Sequence, residues 1–172
     1  MQRTVRLNKE LPLLASQPPP GISCWQKNPD RIDLLEANIT GPEGTPYASG
    51  VFKLELEIPD RYPFEVPQTR FVTPVHHPNI DSAGRICLDL LKPYPKGSWR
   101  ACHNIAMLLS SVQMLLAEPN PDDALVAEIA HQFQFNRAAF DATAKAMTLK
   151  HARSSAVSSS SSSSSSSSAA AP

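Results

Sequence analysis

The sequence carries no excess charge: 16 basic side chains balance 16 acidic ones across 172 residues. That balance argues against a dedicated nucleic-acid binder, whose electrostatic footprint is a basic face. No apolar run reaches the ~18–20 residues that a membrane span requires. The opening residues, Met1 to Arg6, are not followed by an apolar h-region, so no secretory signal is expected. Cysteine is scarce and odd in number, with Cys24, Cys87 and Cys102 alone. They form no Cys-x-x-Cys pair and lack zinc-site spacing, so neither a disulfide scaffold nor a metal site is expected. A reducing compartment and one domain fit these features.

Proline is abundant instead. There are 17, about twice the usual share of roughly 5%, clustered at Pro18–Pro20, Pro59–Pro78, Pro93–Pro95 and Pro119–Pro121. Fixed φ angles at those clusters predict long, rigid loops. From Ser158 to Ser168 the chain is unbroken serine, which has no apolar surface to offset its ordering entropy. The folded core is therefore expected over residues 1–153, with a disordered Ser-rich tail at 154–172.

Periodicity supplies the elements. Leu7, Leu11 and Leu14 form a stripe that predicts a helix over residues 3–16, kinked or tightened at Pro12. Strands are expected at Ile22–Gln26, Leu34–Thr40, Val51–Ile58 and Thr69–Thr73. The third alternates Phe52, Leu54, Leu56 and Ile58 with Lys53, Glu55 and Glu57, as a half-buried antiparallel strand does. Pro74–Ala101 has little periodicity, and a long packed loop of that kind is usually functional. Helices follow at Asn104–Glu118, Asp122–Phe133 and Asn136–His151, the last capped by Asn136, with Phe140, Ala144 and Met147 as its stripe. The class is α+β.

Three places could carry chemistry. Cys87 lies in the long loop and off any apolar face, whereas Cys24 and Cys102 read as buried structural thiols. Upstream stands His76-His77-Pro78-Asn79. His77 is either a base that forms a thiolate on Cys87, as in a cysteine hydrolase, or a ring bonded to loop backbone beside a stiffening Pro78. Asn79 can supply an oxyanion donor or an Asx turn. Asp122 and Asp123 precede a helix; Asp122 reads as a capping acid, and Asp123 can combine capping with chemistry.

Together these segments resemble the ubiquitin-conjugating enzymes, from about Arg3 to Arg153. The likeness is carried by Gly44-Thr45-Pro46-Tyr47, Gly50-Val51-Phe52, Tyr62-Pro63-Phe64, His77-Pro78-Asn79, Gly84-Arg85-Ile86-Cys87-Leu88, Trp99 and Pro119-Asn120-Pro121-Asp122-Asp123. The His-Pro-Asn triplet with a cysteine eight positions after its Asn79 is highly specific in this company. Within the family, Pro18–Gln26, Asp81–Arg85 and the long Cys87-to-Trp99 segment are similar to the T-type branch, which serves the Fanconi-anaemia DNA-repair pathway.

The resemblance implies a fold with an N-terminal helix, a four-stranded antiparallel meander, a long active-site loop and C-terminal helices. It makes Cys87 the acceptor of ubiquitin, as a thioester, from an ATP-consuming activating enzyme, with no cofactor bound to the chain itself. Asn79 would stabilise the oxyanion or brace its loop, Asp123 would face the incoming substrate lysine, and Asp89 would be a gate. His77 and Pro78 would be structural. Arg6, Lys9, Phe64, Arg100, Ala101 and Cys102 would dock a RING-type ligase, that of the Fanconi pathway being the candidate, and the activating enzyme; Ser23 would bind ubiquitin on the rear face. Localisation in nucleus and cytoplasm and a monomeric state are expected, without contact to nucleic acid or membrane. A non-catalytic binding variant, or an enzyme for another ubiquitin-like modifier, are the alternatives. Pro12, Val66, Ala124 and Ala101-Cys102-His103 depart from the family pattern.

Overall fold

One helix and then four strands open the chain in the computed structural model, which describes residues 2–153. The serine run lies outside the described residues. Helix α1 spans Gln2–Ser16, followed by β1 (Ile22–Asn28), β2 (Arg31–Thr40), β3 (Val51–Glu57) and β4 (Gln68–Phe71). The strands pair in sequence order, every neighbour antiparallel. Helices α2 (Ile105–Ala117), α3 (Ala127–Phe135) and α4 (Arg137–His151) complete the α+β fold.

The period-2 pattern of β3 places Phe52, Leu54 and Leu56 inward. They meet Cys24 of β1, Leu35, Ala37 and Ile39 of β2, and the apolar face of α2, namely Ile105, Leu108, Leu109, Val112 and Leu116. The outward residues of the same strands pair as ions, with Lys53 on Glu36 at 2.9 Å and Lys27 and Arg70 both on Glu55.

Helix α1 differs from expectation in two ways. It runs through Pro12 without a tightened turn, closing with Gln17 N–H on Leu13 C=O at 2.8 Å. Its buried residues are Leu7, Glu10 and Leu14, while Leu11 is only half-buried. In α4 the inward position taken for Met147 belongs to Thr148, whose hydroxyl donates to the Ala144 carbonyl at 2.8 Å.

The expected helix over 122–133 is two pieces: a 3-10 turn at Pro121–Asp123, then α3 from Ala127. Here tertiary bonds override local propensity. The Leu125 and Val126 N–H groups donate to the Pro78 carbonyl at 2.9 and 3.1 Å, and Asn79 takes the Asn120 and Asp123 carbonyls. With those groups taken by the Pro78–Asn79 loop, a continuous helical ladder cannot form.

From Pro74 to Ala101 the chain is loop, interrupted by a 3-10 turn at Asp89–Leu91. It is anchored at Gly84, where φ is +81° and an added Cβ would fall 1.9 Å from the Phe71 carbonyl. Only glycine fits this close approach to β4.

Candidate active site

Cys87 sits on a narrow antiparallel bridge, Ile80 opposite Ile86, with its N–H on the Asn79 carbonyl at 2.8 Å. The bend between these arms is closed by Asp81, whose Oδ1 accepts the N–H groups of Ala83 and Arg85, each at 2.9 Å. The sulfur is neither sealed in nor loosely mounted: the residue is half-buried on a braced turn.

The thiol donates to Asp123 Oδ2 at 3.1 Å. Lys92 Nζ reaches the same oxygen at 3.0 Å and Asp89 Oδ1 at 3.3 Å. Partial burial raises the Cys87 pKa above its ordinary value, and the hydrogen bond to Asp123 raises it further, while Lys92 opposes both. The thiol hydrogen bond and the Lys92 ammonium hold the Asp123 carboxyl below the usual carboxylate range. The resting site is thus a protonated thiol beside an ionised carboxylate.

His77 cannot serve as a base for that thiol. It is buried, its Nε2 bonds the Leu115 carbonyl at 2.8 Å, and its Nδ1 accepts the Asn79 N–H at 3.0 Å. Those partners require the neutral imidazole with its proton on Nε2, and burial pulls its pKa down to about 4. The hydrolase pairing of Cys87 with His77 is therefore overturned by both ring nitrogens being committed to backbone. Pro78 beside it is buried and offers its carbonyl to the start of α3.

Asn79 is equally committed. Its amide N–H groups donate to Asn120 C=O at 2.7 Å and Asp123 C=O at 2.9 Å, and its Oδ1 accepts Asn120 N–H at 2.9 Å. In this conformation all its polar capacity but one lone pair ties the cysteine loop to the loop bearing Asp123, leaving no free donor for an oxyanion. Asp122 is exposed, its N–H capped by the Asn120 side chain at 3.2 Å.

The expected docking residues come from three segments that share one end of the molecule. Trp99 Nε1 donates to Pro63 C=O at 2.8 Å, joining the loops of Phe64 and Arg100. Arg6 Nη2 donates to His103 C=O at 3.0 Å, adding α1. Phe64 is 56% exposed, which excludes it as a core side chain. Lys9 and Arg100 are exposed and Ala101 is half-buried; Cys102 is exposed too, which corrects its reading as a buried structural thiol, since it sits on a surface turn before α2. The Arg6 guanidinium is engaged within the fold, by Glu10 and by the His103 carbonyl. Ser23 lies apart, exposed on β1 opposite Asn38.

The family model described as ubiquitin-conjugating enzyme matches residues 6–148. This chain belongs to the ubiquitin-conjugating enzymes. It is 61% identical to ubiquitin-conjugating enzyme E2 T of Bos taurus over 153 residues, covering 89% of this chain and 78% of the relative. The human E2 T is 60% identical over 89% of this chain and 77% of its own. Ubiquitin-conjugating enzyme E2 13 of Saccharomyces cerevisiae is 42% identical, over 86% and 94% respectively. A crystal structure described as a ubiquitin conjugating enzyme from Plasmodium yoelii superposes with a TM-score of 0.82 at 37% identity, covering 90% and 97% of the two chains. As a ubiquitin-conjugating enzyme, the chain works with ubiquitin, an activating enzyme and a ligase.

Two residues of this enzyme's site escaped the sequence. Lys92 joins Cys87, Asp123 and Asp89; its signal was the i,i+3 spacing from Asp89, too common to be noticed. Glu10 accepts the Tyr62 hydroxyl at 2.8 Å, the Ile105 N–H at 2.9 Å and the Arg6 guanidinium, fixing α1 to the Tyr62 loop and the start of α2 from within. A carboxylate three residues after Leu7 and four before Leu14, on their stripe, was the available clue. Among the described residues no cluster of three or more His, Cys, Asp or Glu could hold a metal ion, and no helix is long and apolar enough to cross a membrane.

Proposed function

We propose that Cys87 carries ubiquitin as a thioester and passes it to a substrate lysine with a RING-type ligase, in monoubiquitination of the Fanconi type. The observation that carries this reading is the half-exposed sulfur, its proton directed at Asp123 Oδ2 and no histidine available to it. In the first step the Cys87 sulfur attacks the activating enzyme's thioester carbonyl. A new C–S bond forms, the old one breaks, and the departing thiol takes a proton. ATP is consumed in that upstream activation, with no cofactor held by this chain.

In the second step the substrate amine attacks the carbonyl on Cys87. The N–C bond forms, the C–S bond breaks, and the proton lost by nitrogen ends on the Cys87 thiol. A thioester is already activated, so this step needs positioning more than a strong base. Asp123 orients the amine and accepts its proton in passing, although a carboxylate by itself favours the charged ammonium. Asn79 keeps the two loops in register, and Phe64 with Lys9 and Arg100 meets the ligase at the far end.

The test is incubation with activating enzyme, ATP and ubiquitin. A thiol-reversible adduct is expected for the parent, a thiol-resistant ester for Cys87→Ser, and none for Cys87→Ala. Charging of the alanine variant would refute the nucleophile.

A further inference from the structure

We propose that Lys92 is an internal surrogate for the substrate amine, occupying Asp123 until an incoming lysine displaces it. The inference rests on the roles of Cys87 and Asp123 argued above and assigns Lys92 a positioning role within them.

The ammonium of Lys92 and the thiol of Cys87 converge on one oxygen, Asp123 Oδ2, at 3.0 and 3.1 Å. A lysine attacking a carbonyl on Cys87 must bring its nitrogen to within ~3–3.5 Å of that carbon. To use the Asp123 oxygen that faces the sulfur, Oδ2, at the same moment, it must enter the place where Lys92 Nζ now lies. The two amines have the same chemistry and compete for the same carboxylate.

Lys92 is set there by its backbone. Its N–H closes the 3-10 turn on the Asp89 carbonyl at 3.0 Å, and Trp99 N–H returns to the Lys92 carbonyl at 3.2 Å. Gly97 presses on this turn so closely that an added Cβ would fall 2.3 Å from Lys92 Cβ and 2.4 Å from the Asp89 carbonyl. The long segment after the cysteine thus clamps the lysine's stem.

Asp89 gives the displaced ammonium somewhere to go. Its Oδ1 is 3.3 Å from Nζ, against 3.0 Å for Asp123, so the head moves between two carboxylates without losing its charge partner. Exposed ion pairs are weak, so displacing Lys92 slows transfer at low amine concentration by at most about fivefold. The enzyme remains active while favouring amines that a ligase presents in position.

Single-turnover discharge of the purified thioester onto free lysine tests this. Lys92→Met is expected to speed discharge about fivefold at low lysine, and Lys92→Arg, which keeps the charge but offers no primary amine, to behave as the parent. Asp89→Asn should slow discharge about twofold by leaving Lys92 wholly on Asp123. In an Asp123→Asn background Lys92→Met should give no gain. A slower or unchanged Lys92→Met enzyme overturns the proposal. So does an equal gain in Lys92→Arg, which would trace the effect to loss of an internal acceptor amine, or a gain that persists without Asp123. Failure of the parent to form a thiol-reversible adduct would instead refute the thioester reading itself, and is seen at the charging step.

Discussion

His77 shows how a side chain of familiar catalytic type can be removed from catalysis by its neighbours. Both ring nitrogens hold backbone, and burial holds the imidazole neutral, with a pKa of about 4. An unfolded histidine titrates near 6.5. Between those values the unfolded chain binds the extra proton, so stability falls as the pH drops through 6.5 towards 4. This group alone is expected to cost about 2 kcal/mol at pH 5 relative to pH 7. Urea denaturation at the two pH values measures it, and His77→Gln should flatten the difference. The Cys87 thiol moves the other way, upward, because partial burial and the hydrogen bond to Asp123 favour its protonated form.

At the scale of elements, the 120–123 loop depends on a residue 41 positions away from its start. Asn79 satisfies two carbonyls and one N–H there, and those bonds interrupt what periodicity alone reads as one helix from Asp122. Asn79→Ala would leave those groups without partners. It is expected to destabilise the fold by about 2 kcal/mol and, by misplacing the loop that bears Asp123, to slow transfer to lysine by up to roughly 100-fold, while charging changes less. Thermal denaturation beside single-turnover discharge checks both; a slowed step with unchanged stability would restore the oxyanion role. The strands were legible because alternation reports burial directly, as in Phe52, Leu54 and Leu56. Helix α1 was legible in extent and in Leu7 and Leu14 of its buried face, but Glu10 takes the place expected for Leu11 by bonding Tyr62 and Ile105.

Across the whole molecule, the cysteine and the proposed docking residues are held on one frame. Glu10, Arg6 and Trp99 tie α1, the Phe64 loop and the 100–105 segment together into one braced surface. Phe64 projects from it as an exposed aromatic anchor. Phe64→Ala is expected to weaken binding of a RING-type ligase about 10-fold or more, with little change in charging by the activating enzyme. A titration of the ligase's RING domain decides, and unchanged binding would remove Phe64 from the interface. Cys102 shares that end and is exposed, whereas Cys24 is buried in the sheet, its thiol pushed up to about 12.

The sequence by itself determined the α+β order, the antiparallel strands, the core faces and the segment bearing Cys87, because these follow from local periodicity and motif. It also carried the likeness that the family comparison establishes. The tertiary structure decided which polar groups were free to act. Arg6, His77 and Asn79 are committed to partners 38 to 97 residues distant, and Lys92 to one 31 away. A hydrogen bond satisfies a group wherever in the chain its partner comes from, so that choice leaves no local pattern to read.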